Sequence, residues 1–211
     1  MRRPLFVSFE GIEGCGKTTQ IQRLSEYFNA GSIAHCITRE PGGTAVGEGI
    51  RRILLASETI HLPVPAELLL FFASRSQNIE EKIKPALAKG EVVVCDRFYH
   101  ASMAYQGYGR GIPLDFIDKM TDLVCGEYRP NLTILLDIDP ITGLTRARAR
   151  NHSQAVDEGR FESEDVEFYT RVRQGYLELA AREPQRVRVI PAARSIDEVH
   201  RDIVNLIHER I

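Results

Sequence analysis

A glycine-rich stretch near the start of the chain has the residue spacing of a phosphate-binding loop. It reads FVSFEGIEGCGKTTQ over residues 6–20, and Gly11, Gly16, Lys17 and Thr18 fit the pattern G-x-x-x-x-G-K-[ST]. Glycines let the backbone turn with positive φ and approach an anion closely. Backbone N–H groups and the N-terminus of the next helix then face phosphate oxygens. The stretch therefore predicts a nucleoside-triphosphate site.

Two side chains of this loop have expected roles. Lys17 would place its charge at the β- and γ-phosphates, and Thr18 would offer its hydroxyl to Mg²⁺. The NKxD tetrad with which GTPases read guanine occurs nowhere in the sequence, so ATP is the expected donor. The predicted ATP-binding residues here are Gly11, Ile12, Glu13, Gly14, Cys15, Gly16, Lys17, Thr18 and Thr19.

A second set of polar residues lies in VVVCDRFYHASMAYQG (92–107), where Asp96 and Arg97 end a buried apolar run. Ligands of open α/β sheets bind at such strand ends. Asp96 could hold Mg²⁺ through water, and Arg97 could bind an anion. The alternative for this pair is a surface ion pair.

Further arginines occur in two loops. Arg39 opens the tight segment REPGGT and could point into the same crevice, although an ordinary turn with a solvated arginine is the alternative. Arg146, Arg148, Arg150 and Arg160 belong to a charge-rich region, for which we predict an exposed loop over 148–162 (RARNHSQAVDEGRFE). This region, about 146–162, suggests a lid over a transferring phosphoryl group, because guanidinium groups bind its oxygens bidentately. A solvated basic face is the alternative.

The number of cationic sites favours one class of protein. A single triphosphate needs one cradle, so Arg39 and Arg97 imply a second anionic ligand, and a lid implies that water is excluded. These features favour a small-molecule kinase over a nucleotide-dependent switch that binds a protein partner, which remains the alternative.

The elements that must position these residues follow from apolar runs. Buried strands are predicted at 5–9, 92–95, 132–138 and 187–190, with a weaker candidate at 32–38. Helical patterns lie between them, including a long apolar stretch over 65–88 and a last helix capped by Ser195 and Glu198. The fold class is therefore α/β, a parallel sheet covered by helices on both faces, and we expect the 211 residues to form one domain.

Composition limits the partners. The net charge of −2 gives no global basic field for nucleic acid. The four cysteines lack metal-ligand spacing and suit a reducing compartment. We expect no signal peptide, no membrane span and a cytoplasmic location.

Taken together, these motifs closely resemble the thymidylate kinase family. The resemblance covers nearly the whole chain, through FEGIEGCGKTTQ, TREPGGT, FFASR (71–75), DRFYHASMAYQG and the arginine-rich region followed by FE (161–162). It implies the P-loop nucleoside-monophosphate-kinase fold with a five-stranded parallel sheet, a homodimer, and transfer of phosphoryl from ATP to dTMP with Mg²⁺. Other nucleoside-monophosphate kinases and deoxynucleoside kinases are the alternatives within kinases.

The resemblance also implies roles for single residues. Lys17 and Arg97 would act at the phosphoryl group, with Arg39 a further dTMP phosphate ligand; Phe71 would stack on thymine, and Arg75 would reach a base oxygen. The remaining dTMP-site residues it implies are Glu13 near the sugar 3′-OH, Ser102 at the thymine N3 edge, Tyr105 at the 2′ position, Gln106, and Glu162 near the sugar or metal.

The residues alone leave other readings open. Phe71 and Tyr105 could be ordinary packing residues, and Ser102 an unremarkable helix serine. The phosphate loop contains no arginine, which resembles the bacterial type with an arginine-rich lid. Arg148 and Arg150 are the first candidates for contact with the γ-phosphoryl group and Arg160 is the third, while Arg146 could lie against adenine.

Overall fold

A computed structural model of the chain describes residues 4–55, 62–151, 160–161 and 164–210; at 150 and 151 it describes the backbone alone. Five strands alternate with helices along the chain. The strands are β1 Phe6–Glu10, β2 His35–Arg39, β3 Val92–Asp96, β4 Leu132–Asp137 and β5 Val187–Pro191. All four predicted strands and the weaker fifth candidate are present, the last beginning at His35.

The strands form one parallel sheet in the order β2-β3-β1-β4-β5. Strand β1, which leads into the phosphate loop, therefore lies at the centre between β3 and β4. Neighbouring residues of β1 face opposite sides, because Val7 packs in one apolar cluster and Phe6 in another. Both faces of the sheet are covered, as the apolar strand runs predict.

Helices supply these two covering layers. They are α1 Lys17–Ala30, α2 Ala45–Leu55, α3 Val64–Asn78, α4 Lys84–Ala88, α5 Tyr99–Ser102, α6 Leu114–Cys125, α7 Pro140–Asn151, α8 Val166–Arg182 and α9 Ile196–His208. A π-helical turn, Ile79–Ile83, joins α3 to α4, so the long apolar stretch is one nearly continuous helix. A second π-helical segment, Met103–Gly109, continues α5.

Two local predictions have different outcomes. Ser195 caps α9 as predicted: its hydroxyl accepts from the backbone N–H of Glu198, whose carboxylate accepts from the backbone N–H of Ser195. The prediction of a loop beginning at residue 148 is wrong, because α7 extends to Asn151. Arginine and alanine alternate at the end of α7, and both residue types favour helix.

Candidate active site

One crevice lies at the carboxyl ends of the strands. It encloses about 1360 Å³ and is lined by the loops that follow β1, β2 and β3, together with parts of α3, α7 and the segment after β5. Because β1 and β3 are adjacent, the phosphate loop and the segment that begins at Asp96 open into the same space. Ligands of parallel sheets bind at this edge.

The phosphate loop has the backbone that its glycines predict. Gly11, Gly14 and Gly16 have φ values of 134°, 71° and 96°. Gly14 also has no room for a side chain, since a Cβ atom there would lie 2.0 Å from the carbonyl oxygen of Gly143 in α7. Helix α1 begins at Lys17, so its first N–H groups point toward the crevice without an acidic residue in the first turn.

Lys17 turns its ammonium group back over this loop. Nζ donates to the carbonyl oxygens of Gly11 and Ile12 over 3.0 and 3.2 Å and lies 3.5 Å from Sγ of Cys15. Lys17, Thr18 and the other loop residues from 13 to 19 line the crevice, whereas the Ile12 side chain is buried in the core. Gly11 and Ile12 therefore contribute to the phosphate loop through their backbone atoms.

Oxygen donors suited to Mg²⁺ lie on two walls of the crevice, the Thr18 hydroxyl and the Asp96 carboxylate. Within the described ranges, no group of three or more His, Cys, Asp or Glu residues could enclose a metal ion. This donor set fits Mg²⁺, which is commonly bound by one or two protein oxygens together with substrate phosphates and water.

Arg97 lies at the junction of the two halves of the crevice. Its backbone has a φ of 68°, which is uncommon for a residue with a side chain. The guanidinium donates to the Gly11 carbonyl over 3.0 Å and to Oε1 of Glu13 over 2.7 Å, and it lies over the Tyr105 ring. Since such backbone strain often marks functional sites, the geometry supports a role for Arg97 in the site.

Glu13 connects Arg97 with Tyr105, whose hydroxyl donates to Oε2 over 2.5 Å. Burial alone would raise the pKa of Glu13, but Arg97 and Lys17 hold it below its usual value. Glu13 is therefore an ionised acceptor at the boundary between the phosphate loop and the pocket beyond it.

Beyond Glu13 the crevice has an aromatic and polar pocket, which we call the acceptor pocket. Phe71, Ser102, Tyr105 and Gln106 line it together with Phe161, to which the sequence analysis assigned no role. The Phe161 ring meets the Tyr105 ring edge-on, with centroids 5.7 Å apart. Phe71 is partly exposed into this pocket, whereas its neighbour Phe72 lies in the core.

Arg75 lies behind the pocket wall rather than on it. Its side chain is 1% exposed and donates from Nε to Glu40 over 2.7 Å and from Nη1 to the Ser102 hydroxyl over 3.1 Å. Ser102 lines the crevice whereas Arg75 does not, and the contact of Arg75 with a base oxygen stays a prediction.

Arg39 lines the crevice at its outer edge, half exposed. Its guanidinium pairs with Glu48 over 2.9 Å, and Glu48 also accepts from the backbone N–H of Gly43. The REPGGT loop is fixed on its other side by the Ser74 hydroxyl, which accepts from the Gly42 N–H.

The arginines of α7 have different positions. Arg146 lines the crevice next to Ala192 and Arg194, and it donates to the Ala192 carbonyl over 3.4 Å. Arg148 is exposed and does not belong to the residues that line the crevice. The side chain of Arg150, and Glu162 altogether, lie outside the described residues, as do 152–159 of the lid region.

Besides Glu40, the buried carboxylates Glu10 and Glu67 support this site, and sequence reasoning gave them no role. Glu10 accepts from the backbone N–H of Phe98 over 2.8 Å and from the Tyr176 hydroxyl over 2.9 Å; burial raises its pKa to about 7, against the opposing effect of Arg97. Glu67 accepts from Gln106. A glutamate at the end of an apolar strand was a visible signal for Glu10, but Glu67 had none.

Comparison with known proteins gives a consistent result. A sequence model of a family described as Thymidylate kinase matches residues 9–203. Curated proteins named thymidylate kinase are similar as well. The one from Syntrophotalea carbinolica is 50% identical over 92% of this chain and 90% of its own length. The one from Deinococcus radiodurans is 44% identical over 100% of this chain and 99% of its own length.

A solved structure agrees with the sequence matches. The crystal structure of thymidylate kinase from Ehrlichia chaffeensis superposes with a TM-score of 0.78 at 35% identity, covering 97% of this chain and 98% of that one. In the part of the chain that the structure describes, none of the helices is both long and apolar enough to cross a bilayer.

Proposed function

The chain belongs to the thymidylate kinase family, whose members are ATP-dependent nucleoside-monophosphate kinases, and we propose that its crevice transfers the γ-phosphoryl group of ATP to dTMP. The products would be ADP and dTDP, a step in dTTP synthesis. One observation carries this proposal: the phosphate loop and the acceptor pocket open into a single crevice, with Arg97 between them.

The donor would occupy the end formed by the phosphate loop. Its β- and γ-phosphates would lie at the N-terminus of α1, where Lys17 exchanges its backbone carbonyl partners for phosphate oxygens. Its base would lie near Ala192 and Arg194, with Arg146 alongside.

The acceptor would occupy the pocket beyond Glu13. Phe71 offers a ring for stacking on thymine, and the Ser102 hydroxyl lies at the pocket wall with Arg75 behind it. Arg97 and Arg39 would bind the phosphate of dTMP. Tyr105, held by Glu13, would crowd the 2′ position and favour deoxyribose.

The chemistry that this arrangement supports is in-line transfer. A phosphate oxygen of dTMP attacks the γ-phosphorus directly, so no covalent enzyme intermediate is needed. No general base is needed either, because the second pKa of a phosphate monoester is about 6 and the attacking oxygen is already ionised. Lys17, Arg97 and the α7 arginines would neutralise charge on the moving group. Catalysis is then positioning and electrostatic stabilisation.

The proposal includes Mg²⁺ as the metal ion of the reaction. The Thr18 hydroxyl and the Asp96 carboxylate would hold it, Asp96 through water. When bound, the ion would neutralise the β- and γ-phosphate oxygens.

We also propose a homodimer in the cytoplasm. Leu69 of α3 and Phe116 and Leu123 of α6 are exposed on two helices that pack together, and exposed apolar side chains suit an interface where they form a patch. The four free thiols suit a reducing compartment. Light scattering of the purified chain at micromolar concentration would test the dimer.

A substrate panel tests the function. With ATP and Mg²⁺, initial ADP release would be compared for dTMP, dUMP, dCMP, dGMP and thymidine. We expect dTMP to give the highest kcat/KM and ATP hydrolysis without acceptor to be negligible. Preference for thymidine would favour a deoxynucleoside kinase, and acceptor-independent hydrolysis would favour a switch.

A further inference from the structure

Glu67 is a completely buried carboxylate that joins three separate parts of the chain. It lies in α3, one turn before Phe71, and its side chain is 1% exposed. Oε1 accepts from Nε2 of Gln106 over 2.8 Å, and Oε2 accepts from Nη2 of Arg160 over 2.5 Å. Arg110 donates to both oxygens over 3.4 Å.

Burial of the Glu67 carboxylate costs free energy, and both of its oxygens accept hydrogen bonds. A carboxylate removed from water is tolerated only where charged donors and hydrogen bonds replace its hydration. Glu67 has two guanidinium groups and one amide as donors, and Arg110 also pairs with Glu164 over 2.6 Å. Loss of the Glu67 charge would leave the Arg160 and Arg110 cations facing a neutral group.

Arg160 is fixed by a second contact. Its Nη1 donates to the Leu54 carbonyl at the end of α2 over 3.0 Å. Arg160 is therefore engaged in holding the chain at this point, which argues against its contact with the transferring phosphoryl group.

The residue after Arg160 forms part of the acceptor pocket. Phe161 is buried, and its ring packs edge-on against Tyr105 and lies 6.2 Å from the Phe71 ring. Its carbonyl oxygen accepts from the Tyr169 hydroxyl over 2.8 Å. Phe161 therefore packs against two other rings that line the acceptor pocket.

Gln106 is the second pocket residue that depends on Glu67. Its amide nitrogen donates to Oε1 of Glu67, so the carboxylate orients the amide and leaves its oxygen toward other partners. Both Gln106 and Phe161 line the crevice, whereas Glu67 lies behind them.

We propose that Glu67 is a positioning residue for the acceptor, which holds Arg160 and Gln106 and thereby places Phe161 and the Gln106 amide on the pocket wall. This inference rests on the proposed function, because it takes dTMP as the occupant of the pocket. Since Glu67 does not line the crevice while Gln106 and Phe161 do so in the acceptor pocket, we expect its effect on the acceptor side.

The Glu67→Gln variant tests this role, because it keeps the shape of the side chain and removes its charge. We expect KM and the equilibrium Kd for dTMP to rise about tenfold, while KM for ATP changes less than twofold and kcat at saturating dTMP stays within about threefold. Phe161→Ala should raise KM for dTMP in the same direction. In the double variant the two effects should be less than additive, because Glu67 acts partly through Phe161.

Glu178→Gln is the matched control. Glu178 accepts from the Tyr108 hydroxyl on the same π-helical segment as Gln106 and pairs with Arg182, and among the described residues neither Glu178 nor Tyr108 lines the crevice. We expect its KM for dTMP to equal that of the unchanged protein. Circular dichroism and thermal unfolding of each variant report whether it is folded.

Two results would overturn the proposal: a folded Glu67→Gln variant with KM for dTMP within twofold of the parent, or an equal rise in KM for ATP and dTMP. If Glu67→Gln does not fold, an unaltered KM for dTMP in Phe161→Ala would overturn it instead. Failure of the parent chain to phosphorylate dTMP would refute the proposed function, which the same assays distinguish.

Discussion

The guanidinium of Arg97 donates to the carboxylate of Glu13 over 2.7 Å, although the two residues are 84 positions apart in the chain. The pair joins the phosphate loop after β1 to the segment after β3. Both residues line the crevice, and the pair lies between the phosphate loop and the acceptor pocket.

Replacement of Arg97 should affect turnover more than folding. We expect Arg97→Ala to lower kcat/KM for dTMP by about 10²-fold or more, because a preorganised donor to the transferring group is lost. Arg97→Lys should recover only part of this loss, since an ammonium group lacks the planar fork. Steady-state kinetics with both nucleotides varied give the measurement, and a kcat/KM within a few-fold of the parent would remove Arg97 from the mechanism.

Lys17→Ala should nearly abolish phosphoryl transfer in a chain that still folds. Lys17 bonds only to loop carbonyls and approaches one thiol among the described contacts, so the core does not depend on it. The measurement is ADP release under saturating ATP and dTMP, together with thermal unfolding. Substantial remaining activity would contradict its assignment as the phosphate lysine.

The α7 arginines should separate into two kinetic classes. Arg146→Ala should raise KM for ATP, because Arg146 lies beside Ala192 and Arg194 at the donor end. Loss of the critical residue among Arg148 and Arg150 should lower kcat by about 10³-fold, as for other arginines that act on a transferring phosphoryl group.

Single alanine variants at 146, 148, 150 and 160 provide this comparison. Unaltered kcat in all four would exclude the lid arginines from transition-state stabilisation.

The buried carboxyl of Glu10 should make stability depend on pH. Its pKa is about 7 in the folded chain, raised by burial from an ordinary value of 4.5. Between these two values the unfolded chain loses the proton while the folded chain keeps it, so the unfolding free energy falls as pH rises from 4.5 to 7. The full effect of this group is of the order of 3 kcal/mol.

Urea unfolding of the parent and of Glu10→Gln at several pH values tests this effect. The unfolding free energy of the parent minus that of Glu10→Gln should fall by that amount as pH rises through this window. Above the window this difference should stay constant. A difference that is the same at pH 4.5 and 8 would contradict a raised pKa for Glu10.

Gly14→Ala should be more damaging than the same change at Gly90. Both glycines have positive φ, but a Cβ at Gly90 meets nothing within 4 Å, whereas one at Gly14 meets the Gly143 backbone at 2.0 Å. We expect Gly90→Ala to cost about 1 kcal/mol through backbone strain and Gly14→Ala at least about 1 kcal/mol more through overpacking.

Only Gly14→Ala should weaken ATP binding, measured by calorimetry alongside thermal unfolding. Equal costs at the two positions would show that the approach of α7 to the loop is not tight.

The sheet and the phosphate loop were predictable because they depend on local signals. The apolar runs around Val7, Val94 and Ile134 are short and bounded, and the loop pattern reaches from Gly11 to Thr18. The end of α7 was not predictable in the same way. Charge suggested a loop from residue 148, but helix propensity decided the structure as far as Asn151.

The partners of the site residues depend on contacts that sequence spacing does not encode. Arg75 pairs with Glu40, 35 positions away, and donates to Ser102, and neither partner follows from the spacing of FFASR. Glu67 lies in an apolar stretch, and its importance depends on Arg160, 93 positions later. Such long-range ion pairs become visible only when the chain is folded.

The approach of Gly14 to Gly143 fixes the rotational setting of α7 against the loop. Arg146 and Arg148 follow that contact by less than two turns, so their directions around the helix axis are inherited from it. Because each residue of an α-helix turns the next by about 100°, inserting one residue between 143 and 146 would rotate both side chains about the helix axis and turn Arg146 away from the crevice, with the number of charges unchanged. The directions of these guanidinium groups thus depend on the close contact between the two glycines, Gly14 and Gly143.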